Sequence, residues 1–109
     1  MNTTSLKDYF KKEIRLAVTQ LRTLNPEKII LYGSASWGKL RQESDLDFLI
    51  VRNTNKPFLQ RNIDAAKCLD LNVPYDVFVV TPKEFQDRIV EQDSFISKII
   101  KSGTVLYAR

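Results

Sequence analysis

Apolar residues recur along the first part of the chain at the period of a helix face: Leu6, Phe10, Ile14, Val18 and Leu21 are separated by four or three positions. That spacing predicts a helix over 5–24, with Ser5 and Asp8 in capping-box positions and Asn25-Pro26 closing it. The pattern then changes. Lys28 to Tyr32 (KIILY) is a short apolar run ending at Gly33 and reads as a buried strand, and 45–51 (DLDFLIV) reads as a second strand, polar at its start and apolar afterwards. Asn53 to Pro57 supply cap residues and a first-turn proline ahead of a helix bearing Phe58, Leu59, Ile63, Ala66 and Leu69. Residues 75–80 (YDVFVV), β-branched and aromatic and bounded by Pro74 and Thr81-Pro82, read as a third strand. Thr81 then caps a helix that starts at Pro82 and carries Phe85 and Ile89; a further short helix covers 94–101, Gly103 stops it, and Thr104 to Tyr107 form a closing edge strand. Strands alternate with helices throughout, so the expected class is α/β or α+β, a small mixed sheet covered by helices.

Composition narrows this further. The chain has 109 residues, 43% of them apolar, which is one domain's worth (1–109) and can fill one modest core. With 28% charged residues and no long apolar run, a membrane-spanning segment is excluded. The opening MNTTSLKDYFKKE lacks the apolar stretch of a signal peptide, so the expected location is the cytoplasm. The single cysteine, Cys68, cannot build a disulfide framework and reads as a small core residue. There is no histidine, which removes imidazole general bases, His-based triads and Cys/His zinc sites. Carboxylate, lysine and oxygen-ligand metal chemistry remain. The net charge of +4 suits phosphates or an acidic partner. Lys7, Lys11 and Arg15, every four residues on the first helix, read as a solvated charged face near Asp8 and Glu13, which disfavours direct nucleic-acid binding.

The chemistry concentrates in Leu31 to Val51. Gly33 and Ser34 follow directly on the first strand, and after ten intervening residues Asp45-Leu46-Asp47 heads the second. Gly33 lets the backbone leave the strand in a conformation closed to other residues and lets an anion approach. Ser34 offers a hydroxyl and an amide at an expected helix N-terminus, where phosphate oxygens are favoured. Two aspartates two apart in a strand share a face with α-carbons roughly 6.5–7 Å apart, and they repel unless a cation sits between them. Asp76 interrupts the apolar third strand; if that strand lies beside 45–51, it joins the other two carboxylates. Three acidic donors and a phosphate cradle fit two-metal phosphoryl or nucleotidyl transfer.

Gly-Ser, ten residues, Asp-any-Asp, an apolar strand and a lone Asp on a third strand: this pattern resembles the minimal nucleotidyltransferases of the DNA polymerase β superfamily, in motif and in element order over most of the chain. The resemblance implies the polymerase β-like fold, with Gly33 and Ser34 gripping a nucleoside triphosphate, ATP in the simplest case. It implies that Asp45, Asp47 and Asp76 ligate two Mg²⁺ ions, Asp76 lying near the attacking hydroxyl. Many relatives carry a basic residue before the second glycine, where this chain has Trp37 before Gly38; Lys39 and Arg41 are then the candidate phosphate contacts, and Trp37 either stacks on a base or packs against the sheet. Family members of this size pair, as antitoxins, with HEPN-domain RNase toxins, and some attach AMP to a toxin tyrosine. The resemblance therefore implies a protein adenylyltransferase working in a hetero- or homo-oligomer. The alternatives are a non-catalytic antitoxin that neutralises by complex formation, and the catalytic subunit of a two-part small-molecule or RNA nucleotidyltransferase.

Overall fold

The computed structural model describes residues 3–36 and 40–109. In chain order the elements are α1 (Thr3–Leu21), β1 (Lys28–Tyr32), β2 (Leu46–Val51), α2 (Phe58–Cys68), β3 (Tyr75–Val80), α3 (Pro82–Val90), α4 (Ser94–Ser102) and β4 (Thr104–Ala108). Among them the strands form one four-stranded sheet in the order β3-β2-β1-β4. β1 is antiparallel to both β2 and β4, whereas β2 and β3 run parallel, joined by the α2 crossover. The architecture is the small mixed α+β sheet expected from the alternation of periods.

Because successive strand residues point to opposite faces, the two faces carry two cores. Ile29, Leu31, Leu46, Phe48, Ile50 and Val79 pack with Phe10, Ala17 and Leu21 of α1 and Ala65 of α2. On the other face Ile30, Leu49, Val51 and Val80 pack with Phe85 of α3 and with Ile96 and Ile99 of α4. Tyr32, Asp47, Asp76 and Phe78 alternate with residues of the first set, so they belong to the α3/α4 face.

Local chemistry explains most of the boundaries. Thr81 forms a capping box with Glu84, and Pro82 opens α3 as predicted. Burial pushes the Glu84 carboxyl up, but the Arg61 guanidinium (Nη1 to Oε1 2.7 Å) and the Thr81 amide outweigh it and hold the group below the ordinary range. At the end of α4, the Gly103 amide donates to the Ile99 carbonyl at 2.7 Å; a Cβ on Gly103 would lie 2.5 Å from that carbonyl oxygen.

Five expectations need correction. α1 begins at Thr3, so Ser5 lies inside its first turn rather than ahead of it, and the helix proper ends at Leu21 with a 3-10 turn over Arg22–Leu24. Asn25 in the left-handed region (φ 55°) then breaks the helix. Pro57 is the N-cap of α2 and not its first helical residue. Ser34 to Ser36 form a turn, closed by the Ser36 amide on the Gly33 carbonyl at 3.1 Å, and not the first turn of a helix among the described residues. Glu13 is not on a solvated face: it is 2% exposed and accepts the backbone N–H of Asn72, anchoring α1 to the loop before β3. Cys68 is half-buried at the end of α2, where its sulfur donates to the Asp64 carbonyl at 3.5 Å.

Candidate functional site

Three strand ends meet at one edge of the molecule: the C-terminal end of β1 and the N-terminal ends of β2 and β3. Antiparallel pairing sets Tyr32, the last residue of β1, opposite Asp47, and parallel pairing sets Asp76 beside the same Asp47. Asp45 lies one residue ahead of β2, exposed, while Asp47 is half-buried and Asp76 is exposed on the sheet's outer strand. The neighbouring Leu46 amide donates to the Pro74 carbonyl at 3.0 Å and fixes the start of the β2–β3 pair.

Gly33 adopts φ +81°, the left-handed region that favours glycine. A second constraint adds to the first: a Cβ at this position would lie 2.3 Å from Asp47 Oδ2. The glycine therefore turns the chain and leaves space for the Asp47 carboxylate. Further on, the loop is stapled twice. The Ser36 hydroxyl lies 2.7 Å from that of Thr104, tying the turn to β4. Buried Ser44 accepts the Arg41 amide at 2.8 Å and donates its own amide to the Arg41 carbonyl at 3.0 Å. These contacts hold Arg41 at the rim of an open cleft of about 390 Å³ lined by Ser34, Arg41, Glu43, Ser44, Asp45 and Asp47.

The electrostatics are those of an under-neutralised anionic cluster. Burial first, then the charges of Asp45 and Asp76, push the Asp47 carboxyl above its ordinary value. Burial, Asp47 and Asp76 push the Tyr32 phenol up to about 12, so Tyr32 is a neutral hydroxyl beside the carboxylates at physiological pH. Among the described residues no three acidic or thiol side chains close into a metal-sized group. The donor chemistry nevertheless fits a hard divalent cation: the ligands are oxygens, and mutual repulsion at Asp47 is what a cation would relieve.

Of the residues singled out in the sequence, Ser34, Arg41, Asp45 and Asp47 line one cleft, Gly33 touches Asp47, and Asp76 flanks it from β3. Lys39, with Trp37 and Gly38, lies outside the described residues. Sequence reasoning missed Tyr32, Glu43 and the stapling role of Ser44. Tyr32 precedes Gly33, but only the antiparallel register places it opposite Asp47.

This fold and site define a nucleotidyltransferase of the polymerase β-like class. The chain belongs to the Polymerase beta, Nucleotidyltransferase family, whose model matches residues 5–109. Among solved structures it is similar to a candidate nucleotidyltransferase from Sulfolobus solfataricus, with 19% identity and a TM-score of 0.64 over 94% of this chain and 86% of that one. It is also similar to a chain of a toxin-antitoxin structure with AMP-PNP, with 21% identity and a TM-score of 0.52 over 88% of this chain and 73% of the other. At these identities the likenesses establish the fold. No curated protein matches the chain.

Proposed function

We infer that the protein transfers AMP from ATP to a hydroxyl of a partner protein, a tyrosine of a HEPN RNase toxin, and thereby acts as a cytoplasmic antitoxin. The observation that carries this reading is the Asp47–Asp76 register, which sets a carboxylate of the outer strand beside the central one, while Asp45 and Ser34 line one cleft with Asp47 and Gly33 packs against it. Family membership gives the reaction class, and the neighbour described as a toxin-antitoxin with AMP-PNP supports a toxin as the partner. Among the described residues, no helix is long and apolar enough to cross a membrane.

Each residue then has a task. Ser34 and Arg41 bind the triphosphate oxygens, with Lys39 as a further phosphate contact. Asp45, Asp47 and Asp76 would hold Mg²⁺, two ions in this reading, which when bound supplies charge neutralisation for the phosphates. Asp76, beside Asp47 at the outer strand, faces the acceptor side and takes or orients the hydroxyl proton, a role no histidine is present to fill. The acceptor oxygen bonds to the α-phosphorus, the bond from that phosphorus to the bridging oxygen breaks, and pyrophosphate leaves.

The test is intact mass of a HEPN toxin after incubation with the protein, ATP and Mg²⁺: a gain of AMP on one tyrosine is expected, and no gain with any nucleotide refutes it. The double variant Asp45→Asn/Asp47→Asn separates catalysis from neutralisation by binding alone. Loss of protection with the complex intact supports transfer; retained protection assigns the protein to the non-catalytic reading.

A further inference from the structure

Three polar side chains of α1 grip one loop. Tyr9, Glu13 and Gln20 follow one another at four and seven residues, so they share a side of the helix, next to the stripe of Phe10, Ala17 and Leu21 that fills the core. Both backbone groups of Asn72 are taken: its amide donates to Glu13 Oε1, and its carbonyl accepts the Tyr9 hydroxyl at 3.2 Å. Two residues earlier, Gln20 exchanges bonds with Asp70, donating from Nε2 to its carbonyl at 3.2 Å and accepting its amide on Oε1 at 3.0 Å. The helix thus holds residues 70–72 much as a neighbouring strand would. The bond from Asn72 to Glu13 ends on a carboxylate that is 2% exposed, so it is charge-assisted and shielded from water.

Asp76 lies only four residues beyond Asn72. Between them Val73 is buried in the α1/α2 core, and the Pro74 carbonyl accepts the amide of Leu46, the residue between Asp45 and Asp47, at 3.0 Å. β3 is an outer strand, with a ladder on one side. Its far end is supported from α2, where Asn62 Oδ1 accepts the Val79 amide at 2.9 Å. At its near end the Tyr75 hydroxyl donates to the Ala66 carbonyl of α2 at 3.3 Å, while the main chain is held by α1 through Asn72. Packing of Val73 is not directional, whereas hydrogen bonds to both groups of Asn72 fix the orientation of the peptides that lead into β3. We propose that Glu13, supported by Tyr9, is a positioning residue for the carboxylate site: by holding Asn72 it sets the start of β3 and hence where Asp76 stands against Asp47. The consequence for a cation rests on the metal-binding reading given above; the clamp itself does not, and the two are measured separately.

The experiment compares, in the full chain, Glu13→Ala with Glu13→Gln, whose side-chain oxygen still accepts the Asn72 amide. Amide hydrogen exchange reads the clamp. Glu13→Ala is expected to speed exchange of the Leu46 amide at least ~10-fold while the Val79 amide, held from α2, stays within ~2-fold; general destabilisation would speed both. Calorimetric titration with Mn²⁺ reads the site. Glu13→Ala should weaken Mn²⁺ binding ~10-fold, and Glu13→Gln should keep it within ~2-fold of wild type. In an Asp76→Asn background Glu13→Ala should change Mn²⁺ affinity less than ~2-fold, because the residue acts through Asp76. Should Glu13→Ala not fold, Tyr9→Phe removes the other bond to Asn72, keeps the ring that meets Phe10 edge to face, and should give ~3-fold changes in the same directions. Equal acceleration at Leu46 and Val79 overturns the proposal and leaves Glu13 a residue of general stability. Faster Leu46 exchange with unchanged Mn²⁺ affinity also overturns it, with the metal-binding reading intact. A wild type that binds no Mn²⁺, together with acceleration confined to Leu46, has the opposite meaning: the clamp on the start of β3 stands and the metal site falls.

Discussion

Gly33→Ala tests the tightest contact in the site. Two costs are expected, and they separate. An L-residue held at φ +81° loses roughly 1–2 kcal/mol relative to glycine. The new Cβ would also sit 2.3 Å from Asp47 Oδ2, so the carboxylate must retreat by about 1 Å to reach ordinary contact, taking the Asp47 side chain off its preferred rotamer at about 0.5–1.5 kcal/mol. The sum is about 1.5–3.5 kcal/mol, or roughly 6–14 °C in Tm for a chain of this size. In an Asp47→Ala background the nearest atom of residue 47 is its Cβ at 3.6 Å, an ordinary contact, so only the backbone cost should remain. Urea unfolding of the four proteins of this double-mutant cycle should therefore show a coupling of about 0.5–1.5 kcal/mol. Equal cost in the two backgrounds refutes the close approach. A cost below about 0.5 kcal/mol in both refutes the conformational argument as well. In the Asp47-bearing chain, nucleotidyl transfer should fall by up to ~10²-fold, because an error of this size in a reacting group is amplified in the rate.

Asp47→Asn removes a carboxylate whose folded-state value is raised, so it should stabilise the metal-free protein at neutral pH by about 0.2–1 kcal/mol, the range for like charges facing across strands. The sign follows from linkage: the folded chain binds this proton more tightly than the unfolded one, so wild type loses stability as pH rises from 3.8 through the folded value, and its deficit against Asp47→Asn should close on acidification, as followed by Tm against pH. Mg²⁺ should raise the Tm of wild type but not of Asp45→Asn/Asp47→Asn, and EDTA should reverse the gain. Thr81→Ala breaks the α3 capping box and should cost about 1 kcal/mol in urea unfolding with metal-dependent activity unchanged. Glu13→Ala leaves the Asn72 amide without its acceptor and should cost about 1–3 kcal/mol, whereas substitution of exposed Lys11 should stay within about 0.5 kcal/mol.

Where the sequence was readable, one physical signal dominated. The apolar runs at β1 and β3 are bounded by Gly33, Pro74 and Thr81-Pro82, and these strands fall where the pattern put them because no competing period overlaps them. Asp45 fell outside β2 because the ladder starts where the Leu46 amide finds the Pro74 carbonyl, a long-range bond that local pattern does not encode. The burial of Glu13 is hidden for a related reason: it occupies a charged stretch, yet the Asn72 amide it satisfies is 59 residues away. Asp47 and Asp76 stand out in the sequence as carboxylates on apolar strands, and Asp45 by its spacing of two from Asp47. Tyr32 does not, since a tyrosine in a strand looks the same whether it fills a core or flanks a site.

The mixed topology of the sheet is what assembles this site. Parallel strands begin at the same end, so the second residue of β3, Asp76, comes to lie beside the second residue of β2, Asp47. In an antiparallel pair of the same two strands, Asp76 would fall opposite the far end of β2, among Ile50 and Val51 of the buried core. The antiparallel pairing of β1 is equally necessary, because it returns the chain so that Tyr32 and then Gly33 arrive at the start of β2 rather than at its end. Each register also fixes a face: a slip of one residue between β2 and β3 would turn Asp76 toward the α1/α2 core and bring Val77 into the site. The α2 crossover that makes β2 and β3 parallel, and the Leu46–Pro74 bond that sets their register, therefore belong to the chemistry of the carboxylates as much as to the stability of the sheet.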